Sequence, residues 1–381
     1  VAPSPAVDPL LAELAAAERP LIIFGGGVVS SDAFEELRAF IHLTQIPAVH
    51  SIMGTGVLSF DDPLNLGLAG MHGRTSANRA LAAADLVLAL GFRFSDRVAL
   101  DTARWAAQAR IIQVDIDPSE VDKNVEVDLA IISDAGTLLR SLLHALDGDG
   151  ATAPPTCRDA WLERIAGWRA TDYQPANSDS ILKPHQIISA IAELAGPDVI
   201  ITTDVGQHQM WAAQFARQTR PRSFLTSGGL GAMGFGYGAA IGAQIGAGGG
   251  STRVRPVVHI TGDGSFHMNL NEACTAVSYR LPIITVIFNN QTLGMVRQWQ
   301  KEFYDAHYSA TTLNRATDYV KVAEGFGLLG LRATTPAEFE AAFAQALTCT
   351  GPVWIECVID RDEQVLPMLP VGSAVSDTST D

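Results

Sequence analysis

The stretch HITGDGSFHMNLNEACTAVSYRLPIITVIFNN, residues 259–290, decides how this chain folds. It opens at the end of the apolar run VVHI and reaches Gly262-Asp263-Gly264. It closes on a second run, IITVIF, that ends at Asn289-Asn290. Both runs are apolar on both faces, the pattern of strands buried in a parallel sheet. Residues 269–279 between them read as a helix. Such a crossover is almost always right-handed and lays its two strands parallel in one sheet. Both motifs then lie at the carboxyl ends of the strands, where open α/β sheets bind ligands.

Asp263 and Asn290 can converge there. A carboxylate, an amide oxygen and a nearby main-chain carbonyl are hard donors that suit Mg²⁺, an ion that prefers six oxygens and keeps phosphate partners. Gly262 and Gly264 let a diphosphate approach the backbone. Ser265 is placed to cap the following helix, whose N-terminal amides attract anions. A lone Gly-Asp-Gly is a common turn, and Asn-Asn ends many strands. Joined at this spacing on two strand ends, they predict a metal–diphosphate site.

Outward from this stretch the pattern repeats. RPLIIFGGG, DLVLALGFRF and ARIIQVDIDP are apolar runs that end in turns, and SDAFEELRAFIHL is an amphipathic helix. DGDGATAPPT breaks the alternation, and a short helix follows at 159–169. Helix and strand resume at KPHQIISAIAELAGPDVIITTDVG and continue through GPVWIECVID. Strands alternating with helices imply βαβ units and parallel sheets. The expected fold class is α/β, with two doubly wound parallel-sheet domains joined by a linker. The expected divisions are a linker remnant at 1–9, a first domain at 10–146, a linker at 147–180, a second domain at 181–360 and a tail at 361–381.

Composition narrows the function. The chain carries 41 Asp and Glu against 26 Lys and Arg, so it offers no surface for nucleic acid or anionic membrane. Cys157, Cys274, Cys349 and Cys357 form no Cys-x-x-Cys pair. They read as reduced, buried thiols of a cytoplasmic protein rather than a zinc site. The window from Ser223 to Thr252 has no charge, but Gly and Ala dominate it. It reads as a buried helix with its loop, not a membrane span.

At the level of motifs, TTDVGQHQMWAAQ, GGLGAMGFG, GDGSFHMNLNE and NNQTLGMVRQWQ resemble the cofactor domain of the thiamin-diphosphate enzymes. The closer similarity is to the catalytic subunits of the acetohydroxyacid (acetolactate) synthase family. GMHGRTSANRALAAADLVLALGFRFSDRV and VDIDPSEVDKNV resemble that family's middle domain. The resemblance covers nearly the whole chain, and GMVRQWQ is its most specific part. It implies thiamin diphosphate, Mg²⁺ and FAD as cofactors. Asp263, Asn290 and the main-chain oxygen of Thr292 would hold Mg²⁺. Val205, Gly206, Gln207 and His208 would contact the diphosphate, with Gly262, Gly264 and Ser265 adding donors. Gly231 and Met233 lie on the cofactor loop, with Met233 as the wedge beneath the central ring. By residue type alone, Met233 reads as core packing. Met295, Val296 and Trp299 would surround the substrate, Trp299 selecting the second keto acid. Positions 295 and 299 share a helix face, which equally suits packing.

For FAD the resemblance implies Gly26, Gly27, Ser51, Ile52, Met53, Gly70, Met71, His72, Gly91, Phe92, Arg93, Val98, Asp115, Asp134 and Ala135. The residues alone say less, since GGG after a strand is not the dinucleotide fingerprint. Arg97 matches the family's substrate-carboxylate arginine. Phe92, Ser95 and Tyr237-Gly238 depart from the family pattern, in flavin contacts and in loop rigidity.

The family also carries an N-terminal pyrimidine-binding domain whose glutamate activates the cofactor. No segment here resembles it. The expectation is a fragment of a longer protein, or one chain of a split enzyme, active only with that domain or partner chain supplied. The implied reaction decarboxylates pyruvate and joins the two-carbon unit to pyruvate or 2-oxobutyrate, in branched-chain amino acid synthesis. The expected assembly is a homo-oligomer, a dimer or larger, with a regulatory subunit as a further partner. QKEFYDAHYSATTLN and VLPMLPVG are expected to close over the site as lids. Two alternatives stay open: another thiamin-diphosphate decarboxylase or carboligase, and a non-catalytic FAD- or nucleotide-binding scaffold.

Overall fold

The computed structural model describes residues 6–147, 158–248, 250, 253–370 and 372–377. It divides into two compact units. One comprises the residues up to Gln174 together with those from Leu366 onward, and the other is Pro175–Val365. Each is built on a six-stranded sheet in which every neighbouring pair is parallel.

The first sheet contains β1 (Pro20–Phe24), β2 (Ala48–His50), β3 (Asn65–Leu68), β4 (Leu86–Leu90), β5 (Arg110–Asp115) and β6 (Leu129–Ile132). Their order is β3-β2-β1-β4-β5-β6, so the chain reverses direction across the sheet between β1 and β4. The second contains β7 (Ile200–Thr203), β8 (Phe224–Thr226), β9 (Val257–Gly262), β10 (Ile283–Asn289), β11 (Leu329–Ala333) and β12 (Val353–Val358). Its order is β11-β12-β10-β9-β7-β8, with the reversal between β7 and β9. A reversal leaves a crevice at the carboxyl ends of the two strands that flank it, because their connections leave in opposite directions.

The doubly wound α/β class expected from the sequence is what forms. The runs that marked it become β1, β4, β5, β7, β9, β10 and β12. Residues of β1, β4 and β10 are buried throughout, as strands covered on both faces must be. The covering helices are apolar on one face. Phe34–Thr44 buries Leu37, Phe40, Ile41 and Thr44, and Ala135–Leu146 buries Leu138, Leu139 and Leu142. Asp134 starts the second of these by accepting from the Thr137 amide at 2.9 Å, an N-cap. The strands the sequence did not single out are β2, β3, β6, β8 and β11. Four of these are the outer strands of their sheets. Outer strands are short and partly solvated, so they carry no continuous apolar run.

Three expectations need correction. The Gly-rich helix, Phe235–Gly246, is not buried all round. It buries Gly236, Tyr237, Ala240 and Gln244, while Phe235 and Ile245 are exposed. Cys357 is buried and its thiol is pushed up by burial, but Cys274 is exposed. Its helix, Ala273–Ser278, turns Ala273 and Ala276 inward instead. Cys157 lies outside the described residues. The crossover helix is also shorter than 269–279: a 3₁₀ turn at Leu270–Glu272 leads into Ala273–Ser278. Among the described residues no helix is long and apolar enough to cross a membrane.

At the reversal of the first sheet the two turns nearly touch. The Gly27 amide donates to the Gly91 carbonyl at 3.0 Å. A Cβ on Gly91 would lie 2.5 Å from the Gly27 Cα, and Gly91 has φ +53. Gly91→Ala should therefore destabilise the protein by about 2 kcal/mol or more, through backbone overlap added to a left-handed conformation. Thermal melting of the variant checks this, and an unchanged melting temperature would refute it.

Candidate active site

The second unit gathers its chemistry at its own reversal. Gly262 of β9 pairs in register with Phe288 of β10. Neighbouring strands lie about 4.8 Å apart. Asp263 and Asn290 follow those paired residues directly or one position on, so both emerge at one place. They line a cleft of about 100 Å³ together with Val205, Gly206, Gln207, His208, Met233, Gly264, Ser265, Thr292, Met295 and Val296. The structure thus brings together most of the second-unit residues singled out from the sequence.

Two of them do not line the cleft. Gly231 lies in the exposed loop ahead of Met233, where φ of +67 suits glycine. Trp299 sits further along the helix Gly294–Phe303, packed edge-on against Phe303 at 5.6 Å. The sequence reading missed four lining residues: Trp211, Phe288, Leu293 and Gly294. Trp211 had a readable signal, one helical turn after Gln207 on Gln207–Phe215. Leu293 and Gly294 are simply the chain between the metal motif and Met295.

Burial raises the Asp263 carboxyl to about 7, outweighing Arg315 and the amides of Gly264 and Gln291. His208 is buried, which lowers its imidazole to about 4 and keeps it neutral at pH 7. Its Nε2 is buried without a hydrogen-bond partner. The imidazole fits between the turns only because both carry glycine. A Cβ on Gly206 would lie 2.7 Å from His208 Cε1, and one on Gly262 would lie 2.8 Å from Nδ1.

Two residues are engaged otherwise than expected. Ser265 does not cap the following helix. It lies inside the short helix Asp263–Phe266, and its hydroxyl donates to the Val205 carbonyl at 2.7 Å. It thereby ties the β9 turn to the β7 turn. The Gln207 side chain is committed within the protein: Nε2 donates to Gln298 Oε1 at 3.0 Å and to the Glu363 carbonyl at 2.8 Å. Its Oε1 accepts from Asn290 Nδ2 at 3.4 Å.

Beneath the cleft lies Asp204, which the sequence reading passed over. Its carboxylate accepts from the Gly236 amide at 2.7 Å and from the Thr261 hydroxyl at 2.6 Å. His259 Nε2 lies 3.2 Å away. Burial pushes this carboxyl up, but the bonds from His259, Thr261 and Gly236 outweigh it and hold it well below the usual carboxylate range. One side chain so joins β7, β9 and the start of the helix that follows Met233.

In the first unit, the residues expected to meet flavin follow the ends of all six strands. Gly26 and Gly27 follow β1; Ser51, Ile52 and Met53 follow β2; Gly70, Met71 and His72 follow β3. Gly91, Phe92 and Arg93 follow β4, Asp115 ends β5, and Asp134 and Ala135 follow β6. Val98 and Arg97 lie on Asp96–Ala99 against Gly70, where a Cβ would sit 2.5 Å from the Arg97 carbonyl. Phe92 turns away into a cluster with Phe94, 5.0 Å away, and Trp105. The Arg97 guanidinium is exposed and pairs with Asp96 at 3.1 Å. The Leu369 amide donates to the Met71 carbonyl at 2.8 Å, so the segment after Leu366 is seated on this unit.

Comparison with known proteins matches a separate enzyme domain to each unit. Residues 204–357 match the thiamine pyrophosphate enzyme C-terminal TPP binding domain, and residues 7–142 match the central domain of the same enzymes. The chain belongs to the thiamine pyrophosphate enzymes. Its relatives include acetolactate synthases. It is 41% identical over 370 residues to the probable acetolactate synthase large subunit of Methanocaldococcus jannaschii, covering 95% of this chain and 61% of that protein. It is 40% identical over 380 residues to the acetolactate synthase large subunit of Parasynechococcus marenigrum, covering 98% and 60%. It is 40% identical to the acetolactate synthase of Mycobacterium bovis, covering 95% and 59%. The chain thus spans about six tenths of the length of these relatives.

The raised Asp263 carboxyl has a measurable consequence. Its folded value exceeds the unfolded one, so the metal-free protein loses stability as pH rises from about 4 through 7. Asp263→Asn should relieve this cost. In the presence of a chelator, the variant should be more stable than the parent at pH 8 by roughly 2–4 kcal/mol, with the gain gone near pH 4. Denaturant melts across that range decide it, and equal stability at pH 8 would contradict the burial argument.

Proposed function

We propose that this chain supplies the flavin and thiamin-diphosphate domains of an acetolactate synthase, which decarboxylates pyruvate and joins the two-carbon unit to pyruvate or 2-oxobutyrate. The observation that carries this is the convergence of Asp263, Asn290 and Thr292, from register-paired strand ends, on a cleft that Met233, Met295 and Val296 also line.

The residues fit Mg²⁺ and a diphosphate. Among the described residues no group of three or more His, Cys, Asp and Glu stands ready for a metal. The donors here are one carboxylate, one amide oxygen and one main-chain carbonyl, an all-oxygen set that leaves positions for phosphate. A buried carboxyl raised to about 7 is an unmet negative charge that a divalent cation would satisfy. His208, with its unpartnered Nε2, suits an anion beside it.

Bound thiamin diphosphate supplies the nucleophilic carbon and the electron sink for the decarboxylation. The chain's own part is to hold and orient. Asp263 Oδ, Asn290 Oδ1 and the Thr292 carbonyl fix the metal. Met233, which lines the cleft, would serve as the wedge against the bound cofactor. Met295 and Val296 give the reacting centre an apolar wall that excludes water, and Trp299 shapes the place of the second keto acid. Arg97 serves the substrate carboxylate.

FAD is proposed for the first unit, because the loops after all six of its strands present the residues named above at one end of the sheet. Two of the relatives named above are called large subunits, which supports a regulatory small subunit as a partner. A homo-oligomer in the cytoplasm completes the proposal.

Activity is tested with the remaining length of the relatives restored in the same chain or added as a partner. Pyruvate should then yield CO₂ and acetolactate in a thiamin-diphosphate- and Mg²⁺-dependent reaction. Acetaldehyde without acetolactate would instead indicate a decarboxylase. Flavin binding with no saturable thiamin-diphosphate binding would indicate a scaffold. Trp299→Leu should change the preference between 2-oxobutyrate and pyruvate by about tenfold or more, since one methylene of fit is worth that much. Competition between the two keto acids, read by product ratio, checks it.

A further inference from the structure

Behind the two ligand-bearing turns runs a chain of polar side chains. Asn289, the residue before the proposed metal ligand, donates from Nδ2 to Glu356 Oε1 at 2.6 Å. Its Oδ1 accepts from the Gln291 amide at 3.2 Å. Gln291 lies between Asn290 and Thr292 with φ +55, a conformation that costs a non-glycine residue unless something holds it. Glu356 Oε2 accepts from Arg332 Nε at 2.7 Å, and Arg332 Nη2 donates to Asp318 at 2.9 Å. Asp318 caps the helix Tyr319–Phe326. The Tyr319 hydroxyl donates to the Asp263 carbonyl at 3.3 Å, beside a bond from Arg315 at 3.2 Å.

Both metal-bearing turns are therefore held from behind, and the two holds meet at Arg332. We propose that Asn289, Glu356, Arg332, Asp318 and Tyr319 form a positioning relay that sets the separation of the Asp263 and Asn290 turns. The inference rests on the metal-site reading above. Burying a carboxylate in a strand is costly unless its charge is met. Glu356 is 3% exposed between apolar neighbours of β12, where packing alone would call for another apolar residue. Its registered partners are Ile287 on β10 and Arg332 on β11, and its carboxylate bonds side chains of both of those strands, Asn289 and Arg332.

None of these groups touches the ion directly. Groups that orient metal ligands from behind are worth about 10–100-fold in metal affinity.

The test measures Mn²⁺ binding by electron paramagnetic resonance, with thiamin diphosphate present, in the full chain. Asp263→Asn should abolish binding and serves as the reference. Glu356→Gln should weaken it about tenfold or more, because a Gln has only one acceptor oxygen and cannot receive both the Asn289 Nδ2 and the Arg332 Nε bonds. Asn289→Asp with Glu356→Gln exchanges donor and acceptor while keeping every hydrogen bond, and should recover most of the affinity. Tyr319→Phe removes one hydroxyl and no volume, and should weaken binding about fivefold with little change in melting temperature. That variant keeps the test sound should Glu356→Gln not fold. Parent-like affinity in both Glu356→Gln and Tyr319→Phe, with Asp263→Asn inactive in binding, overturns the relay and leaves the metal site standing. A Glu356→Gln defect that the double variant does not recover, with Tyr319→Phe unchanged, overturns it equally. A parent that binds no Mn²⁺ removes the metal-site reading and the relay with it.

Discussion

The parallel pairing of β9 with β10, with Gly262 opposite Phe288, is the constraint on which the site depends. A sheet's side-chain period is two, so a slip of one residue would turn each strand's inward set outward. Here both faces are covered, β10 throughout and β9 nearly so, and what a slip would break is the pairing of the two strand ends that carry the motifs. The same register fixes where Asp263 and Asn290 leave the sheet. Neither loop needs to be rigid in itself. The strands place them, and the hydrogen bonds from Ser265 to Val205 and from Asn290 to Gln207 stitch the turns together.

Around that constraint the interior is unusually polar for a parallel sheet. Asp204, Thr261 and His259 are buried beneath the cleft, and Glu356 and Asn289 lie behind it. Each buried carboxylate is met by several donors, which is what makes such burial tolerable. Asp263 is the exception. Its carboxyl rises to about 7 because the protein gives it too little compensation. That difference is what supports the proposal of an ion at Asp263. The two units solve the same problem with the same architecture, each placing its distinctive glycines where its strand order reverses. In the first, Gly27 and Gly91 allow two turns to touch. In the second, Gly206 and Gly262 make room for His208.

Much of this was legible in the chain. Apolar runs ending in Gly, Asp or Asn gave the central strands, because a strand covered on both faces must be apolar throughout. The outer strands were not legible, since partial solvation removes that signature. Among site residues, Asp263, Asn290, His208 and Met233 stood out by motif, and all four line one cleft. Asp204 and Glu356 did not. A lone acidic residue in a strand or at its end looks the same whether it faces water or a buried donor. Phe92 carried the opposite ambiguity. By resemblance it is both a flavin-contact position and a departure from the family pattern, and its ring packs with Phe94 and Trp105.

The sequence by itself determined the layered α/β class, the central strands and the oxygen donors, because hydrophobic period and motif spacing are local properties of the chain. Only the tertiary structure decided which polar groups are compensated and which are not. Compensation depends on neighbours far apart along the chain, as when Asp204 meets His259 or Asn289 meets Glu356. It also decided the faces of the Gly-rich helix and of Cys274. Which side of a helix is covered is set by the sheet it packs on, not by its own composition.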